Sequence, residues 1–426
     1  MRVLLTAFAQ DAHLNAVVPP AWALRTAGHE VRVASQPAAV DGITRAGLTA
    51  VPVGEDHRMD DVIRTVGPGM LMHHLDRDYL ENRPERLSVD YLRASNAMLT
   101  ATFYSQINND SMIDELVEYA RFWKPDLVLW EPFTFAGAVA AKATGAAHAR
   151  LLGFPDLFAN THLTLRRRQS ELPEELRDDP LEEWLAYTLD RHGAAFDPET
   201  VTGQWSVDQM PPGVRMELGL PTVPMRYVPY NGPGPAVVPD WLRRPPRRRR
   251  VCLTLGLTIR DTEFPNAVDV DEVFASLAEL DVEVVATLSE KELAQVSRVP
   301  DNTRVVDHVA LLALLPSCSA IVHHGGAGTF ATATAYGVPQ VALGWMWDAI
   351  YRAQRIEELG AGLHLHSEGL SVEVLRDKLV RVLDEPGFRA GAQRLRRAVL
   401  STPAPNEVVP VIEKLTARHR SGTVAR

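Results

Sequence analysis

Residues Ala320-Ile321-Val322-His323-His324-Gly325-Gly326-Ala327-Gly328-Thr329 read as an apolar strand that runs into two histidines, a glycine turn and a threonine. Three glycines within four residues let a backbone approach an anion closely, and the helix expected over 330–336 would offer free N–H groups and a partial positive charge. That is the chemistry of a phosphate cradle. A ring N–H of His324 and the Thr329 hydroxyl would add donors, which suits a diphosphate better than a single carboxylate. A glycine turn alone serves equally well as a tight strand-to-helix connection without a ligand. The adjacent histidines shift the reading toward a ligand. A metal is not expected, because neighbours on a strand point to opposite faces and no HExxH or carboxylate-rich spacing accompanies His323 and His324.

The elements that must position this turn follow a strand–helix alternation. Residues 3–5 form an apolar run, a polar turn follows at 10–13, and apolar residues recur over 17–24, with Gly28 as a helix stop and 31–34 as the next strand. The order returns with a strand over 125–130, an Ala-rich helix over 135–144 and a stop at Gly145. Gly and Pro crowd together at 230–235 and lead into an arginine-rich run over 243–250, which reads as a linker with a solvated surface and no chemistry. Strands over 251–256, 282–287, 303–306 and 320–323 then alternate with helical patterns. The fold class is therefore α/β, with two doubly wound, Rossmann-like domains facing a cleft and ligands at the carboxyl ends of the strands. Segments 58–109 and 164–203 are richer in charge and helix formers and read as insertions that carry acceptor or partner contacts. Trp22 and Leu24 fall in the first helix as core residues, while Phe133, Phe135, Phe154 and Phe158 surround strand ends where together they could line an apolar pocket, although each taken singly reads as core packing.

Composition narrows the function. The 426 residues, 46% apolar and 23% charged, suffice for two or three globular domains. With 44 Lys plus Arg against 54 Asp plus Glu, the net charge of −10 repels a nucleic-acid backbone, so nucleic acid is not an expected partner. No run approaches the ~18 apolar residues of a spanning helix, and the first residues lack a small-residue cleavage site. Cys252 and Cys318 form neither a CxxC nor a spaced framework. These features point to a cytoplasmic protein that does not engage a membrane.

The stretch 322–348, with His324-Gly325-Gly326-Ala327-Gly328-Thr329, Gly337-Val338-Pro339-Gln340 and Trp347-Asp348, resembles the nucleotide-sugar signature of two-domain glycosyltransferases with the GT-B fold. The resemblance extends over essentially the whole chain. Met1-Arg2-Val3-Leu4-Leu5-Thr6, His13, Gly28-His29-Glu30-Val31-Arg32-Val33-Ala34-Ser35, Trp130-Glu131-Pro132, Met225-Arg226-Tyr227-Val228 and Asn231-Gly232-Pro233 are similar to blocks of bacterial antibiotic glycosyltransferases that use TDP-deoxysugars. Within these, the chain looks most like enzymes that place L-mycarose or L-olivose/oleandrose on a macrolactone.

This resemblance implies an inverting O-glycosyltransferase with a TDP-deoxysugar as co-substrate, no separate cofactor and no metal. His13 would be the base, since an imidazole pKa near ~6.5 suits proton acceptance at neutral pH. Glu131, where many relatives carry Asp, would hold its far ring nitrogen. On position alone His13 reads rather as a loop residue capping the next helix, and Glu131 as a solvated strand-end acid; the resemblance reverses that preference. Thr258, His324, Gly326, Gly328 and Thr329 would line the diphosphate, the main chain of Val309 would meet the base, and Asp348 would bind the sugar. Ala349 stands where a glutamine often follows, which fits a donor that has lost hydroxyls. The implied division is an acceptor-binding domain over 1–225, a linker over 226–250, a nucleotide-sugar domain over 251–400, and a helix and tail over 401–426 returning to the first domain. Implied partners are a macrolactone aglycone, a P450-like helper protein that has lost its haem, and a second copy in a homodimer. The competing readings are transfer to an aromatic polyketide of anthracycline type, a nucleotide-sugar epimerase, and a non-catalytic protein that keeps the cradle and only binds.

Overall fold

The computed structural model describes residues 1–66, 81–230, 232, 237–255, 269–344 and 347–421. Seven parallel strands form the first sheet: β1 (Arg2–Thr6), β2 (Glu30–Ser35), β3 (Ala50–Pro52), β4 (Leu127–Trp130), β5 (Ala147–Leu152), β6 (Trp205–Asp208) and β7 (Thr222–Pro224), in spatial order β3-β2-β1-β4-β5-β6-β7. Six more form the second: β8 (Arg249–Thr254), β9 (Val282–Thr287), β10 (Thr303–Val306), β11 (Cys318–His323), β12 (Gln340–Ala342) and β13 (Gly362–His364), in order β10-β9-β8-β11-β12-β13. Each sheet changes winding direction once, between β1 and β4 and between β8 and β11. Such switch points open a crevice at the carboxyl ends of the strands, where α/β folds bind ligands.

The strands are apolar runs because helices cover both faces of a parallel sheet. Val3, Leu4, Leu5, Leu127 and Val128 are fully buried, as are Val251, Val284 and Val322. The strands absent from the sequence reading are the short β3, β6, β7, β12 and β13, and β5, whose His148 and Arg150 interrupt the apolar pattern. Arg150 is buried because Asp156 and the Ser206 hydroxyl take its guanidinium nitrogens at 2.7–3.1 Å. The arginine run also departs from its expectation. Its last member, Arg250, lies inside β8, buried at 2% exposure, bonded to Ser317 and Glu283 and set against the Trp241 ring. Trp22 lies at the surface rather than in the core, with its indole N–H donated to the Ala46 carbonyl, while Leu24 is buried as expected.

Three features fix the cleft. The helix Asp11–Thr26, following β1, touches the helix Ala327–Tyr336, following β11. Arg355, on the helix Trp347–Glu358, donates to the Gly213 carbonyl at 2.7 and 2.8 Å. The helix Pro405–Ser421 returns to the first sheet, packing Val408, Val409 and Ile412 against Val3, Leu5 and Leu24, with Glu413 Oε1 2.9 Å from His29 Nε2.

Gly137 lets the helix Phe135–Thr144 lie against the ends of β1 and β4: a Cβ there would stand 2.6 Å from Thr6 Oγ1 and 2.7 Å from Trp130 Cβ. Helix propensity alone would make Gly137→Ala stabilising by about 1 kcal/mol. The overlap reverses the sign, and urea unfolding should show a net loss of about 1–3 kcal/mol.

Candidate functional site

The crevice of the first sheet holds His13 and Glu131. The helix after β1 begins at Asp11, so His13 stands in its first turn rather than in a loop. Glu131 directly follows β4, its N–H donating to the Thr6 carbonyl at 3.0 Å and its carbonyl accepting from both the Thr134 N–H and hydroxyl, at 2.8 and 2.9 Å. Three bonds thus hold its main chain at the end of the strand. His13 Nδ1 and Glu131 Oε1 meet at 2.9 Å. Glu131 is not the solvated acid that its position suggested: its side chain is 4% exposed, against 21% for His13. A carboxylate only accepts hydrogen bonds, so the proton of this bond sits on Nδ1 and the lone pair on Nε2. That is the tautomer a general base requires.

Aromatic rings wall the imidazole. The centroids of Phe8, Phe133 and Phe154 lie 4.3, 5.4 and 6.0 Å from that of His13, and Phe158 meets Phe133 edge-on at 4.7 Å. Of the four phenylalanines read as pocket lining, Phe133, Phe154 and Phe158 form this wall. Phe135 instead packs behind it against Tyr104, Trp130 and Trp184. Phe8 belongs to the wall but had not been singled out; the signal available was its place just past the first strand.

The second crevice holds the glycine turn. Its helix starts at Ala327, three residues earlier than expected, with Gly326 at the N-cap, so Gly328 and Thr329 are the first turn of the helix itself. Gly325 adopts φ +94°, a left-handed conformation that a side chain would resist. The two histidines diverge. His323 is fully buried, bonded to Gln340 Oε1 at 2.9 Å and accepting the Gly325 N–H at 3.0 Å, so it braces the turn from behind. His324 lies over the turn, its Nε2 2.4 Å from where a Cβ on Gly326 would be, so only glycine fits beneath it. Burial, reinforced by the Arg352 charge and partly offset by a hydrogen bond to the Thr254 main chain, holds its pKa at about 4, so the ring is neutral at pH 7 with its one N–H given to that carbonyl.

Asp348 stands in the first turn of its helix and pairs with Arg352, which is 3% exposed. Arg352 Nη2 also donates to the Gly325 carbonyl at 2.6 Å, tying the glycine turn to the Asp348 helix. Arg352 was missed in the sequence, although its i,i+4 spacing from an acidic residue was readable. The Val309 side chain is in the core with Cys252 and Ile321, which leaves only its main chain for a ligand. Thr258 lies outside the described residues.

Away from both crevices, His162, Asp179 and Glu182 gather with one oxygen on each side of the ring: Nδ1 is 3.1 Å from Asp179 and Nε2 3.6 Å from Glu182. Because the carboxylates face different nitrogens, and Arg166 Nη1 lies 3.3 Å from the same Glu182 oxygen, the group reads as an ion-pair cluster rather than a metal centre.

Two doubly wound sheets with an imidazole–carboxylate pair at one switch point and a glycine-turn helix at the other define a GT-B glycosyltransferase. Comparison with known proteins bears this out. Residues 22–256 and 271–415 match the N- and C-terminal domains of the erythromycin biosynthesis protein CIII-like family, and the chain belongs to that family and is an enzyme. It is 60% identical over 423 residues to the TDP-daunosamine transferase DnrS of Streptomyces peucetius, covering 99% of this chain and 98% of that one. It is also 60% identical over 429 residues to the aklavinone 7-beta-L-rhodosaminyltransferase of Streptomyces galilaeus, covering 99% and 97%. The crystal structure of the glycosyltransferase VinC in complex with dTDP superposes with a TM-score of 0.88 at 41% identity, covering 98% of this chain and all of that one. The expected nearness to macrolide transferases is corrected here, since the desosaminyl and mycarosyl transferases among these relatives stand at 46–50%. The described residues contain no helix long and apolar enough to cross a membrane.

Burial holds His148 and His323 at about pKa 3 and His324 and His364 at about 4. In the unfolded chain these rings protonate near pH ~6.5, so below that pH the unfolded state binds more protons and stability falls. Asp208, pushed up to about 6 by burial, acts in the opposite sense, one carboxyl against four imidazoles. The urea midpoint should therefore fall steadily from pH 6.5 toward pH 4 and be flat between about pH 7 and pH 8.

Proposed function

We propose that this enzyme is an inverting O-glycosyltransferase that moves an L-deoxysugar from a TDP-sugar to a hydroxyl of an aromatic polyketide aglycone of the anthracycline type. The observation that carries this reading is the His13–Glu131 pair set inside the Phe8, Phe133 and Phe154 wall, facing the glycine-turn helix. A flat aromatic acceptor can stack on such a wall and bring a hydroxyl to His13 Nε2. The relatives at 60% identity support it, one being named for aklavinone and both for aminodeoxysugars. Residues 1–225 then bind the acceptor and 251–400 the donor, joined by 226–250, with 401–426 folded back on the first part.

In this mechanism His13 Nε2 takes the acceptor proton as the hydroxyl oxygen attacks the anomeric carbon. Glu131 steadies the imidazolium that forms. The bond from that carbon to the diphosphate oxygen breaks on the opposite face, inverting the centre. The departing charge falls on the N–H groups of the Gly326–Thr329 helix start, with the neutral His324 ring lying over them. Asp348 holds the sugar, Val309 meets the base through its main chain, and Thr258 adds a hydroxyl at the phosphates.

The test is a mass-spectrometric transfer assay offering aklavinone and a 14-membered macrolactone together, with a TDP-L-aminodeoxysugar as donor. The expected product is aklavinone heavier by one sugar. His13→Ala should lose about 10²–10⁴-fold in rate while still binding TDP, and Glu131→Gln at least about tenfold. A glycosylated macrolactone as the main product would return the acceptor to the macrolide class. TDP binding without any product would point to a missing helper protein, and a wild type that fails to bind TDP would sink the donor assignment.

A further inference from the structure

Arg352 is a buried guanidinium on the helix Trp347–Glu358 with two anchors: the Asp348 carboxylate and, at 2.6 Å, the Gly325 carbonyl. It also lies 5.8 Å from the centre of the Phe330 ring, in the helix that follows the glycine turn. Burying a charge this far is unfavourable unless its partners are held in good geometry, and burial pulls the guanidinium down to about pKa 9. The planar guanidinium spreads its donors over separate nitrogens, so it meets two acceptors on different elements in fixed directions; an ammonium offers three N–H groups but from a single point.

The second anchor has a stereochemical consequence. A trans peptide is planar, so the carbonyl of Gly325 and the N–H of Gly326 point in opposite directions. When Arg352 draws the carbonyl toward itself, the Gly326 N–H is turned the opposite way, away from the guanidinium. The turn is also pressed onto the same helix, because a Cβ at Gly325 would stand 2.9 Å from Ala349 Cβ. One side chain thus sets both the direction of a phosphate-facing N–H and the position of the Asp348 carboxylate.

We propose that Arg352 is a positioning residue for a nucleoside-diphosphate sugar, fixing the Gly325–Gly326 peptide for the diphosphate and Asp348 for the sugar. The proposal rests on the donor-site assignment above. Calorimetric TDP binding and steady-state donor kinetics separate its two arms. Arg352→Met is expected to weaken TDP binding at least tenfold and to raise the donor KM more than it lowers kcat. Arg352→Lys should recover part of the loss, with TDP binding about threefold or more below wild type. Asp348→Asn should keep TDP affinity within twofold and raise only the donor KM. The double variant Asp348→Asn/Arg352→Met should have a donor KM no higher than Arg352→Met alone, since one side chain acts through the other.

Wild-type TDP affinity in a cooperatively melting Arg352→Met overturns the proposal, as do KM effects that multiply in the double variant. If Arg352→Met does not melt cooperatively, Arg352→Lys decides, and unchanged TDP affinity there overturns it. Wild type that fails to bind TDP overturns the donor assignment and this proposal together. Wild type that binds TDP without transfer touches only the acceptor reading, and the variants' TDP affinities still decide for or against Arg352.

Discussion

The 2.9 Å bond between His13 and Glu131 joins residues 118 positions apart, and it exists because β1 and β4 are hydrogen-bonded neighbours. Everything around it serves that adjacency. The Thr6 carbonyl accepts from the Glu131 N–H, Thr134 bridges Thr6 and Glu131, and Gly137 lets the next helix close over the junction. A switch of winding direction opens the crevice in which the two side chains meet. The imidazole gains a fixed tautomer from a carboxylate whose other oxygen, Oε2, is buried with no hydrogen-bond partner among the described residues. That oxygen is destabilising by itself, which is the cost expected where geometry is kept for chemistry rather than stability.

The second sheet solves a different problem with the same topology. Here main-chain donors are gathered at a helix start without a charged side chain standing in the open. The turn after β11 does so with main-chain groups, a neutral imidazole above and a guanidinium behind. His324 is neutral because it is buried beside Arg352, so the local cation acts through its field on the histidine as well as through its bonds. Moving Gly328 and Thr329 from the turn into the first helical turn strengthens this arrangement, since the N–H groups there have no partners within the helix.

Much of this was legible in the sequence, and the exceptions have physical reasons. Long apolar runs such as Val282–Thr287 and the helix Phe135–Thr144 were read to the residue, because their periodicity is local. Short strands such as Gln340–Ala342 and Gly362–His364 were not, since three residues carry no period. The glycine turn and the helix it opens were readable, because glycine spacing and a following helix lie within ten residues. The His13–Glu131 pair was not readable from spacing. It came from resemblance alone, as a contact between strands that are remote in sequence must. Arg250 and Arg352 show the same limit: each looks like surface charge until its partners, Glu283 and the Gly325 carbonyl, are brought to it by the fold.

The return of the final helix to the first sheet means that the chain passes between the two sheets twice, once after β7 and again near residue 403. The two passages run together, with the Arg226 N–H donated to the Pro403 carbonyl at 2.7 Å and its guanidinium to the Leu400 carbonyl at 3.1 Å. A single strand of chain would let one body swivel about it in any direction. Two strands bonded side by side behave as a door hinge, stiff to twisting and soft to one bend. Beside that doubled passage, the Arg355–Gly213 bonds make a second tie between the two halves, so the glycine-turn helix and the helix that carries His13 are held together from both sides.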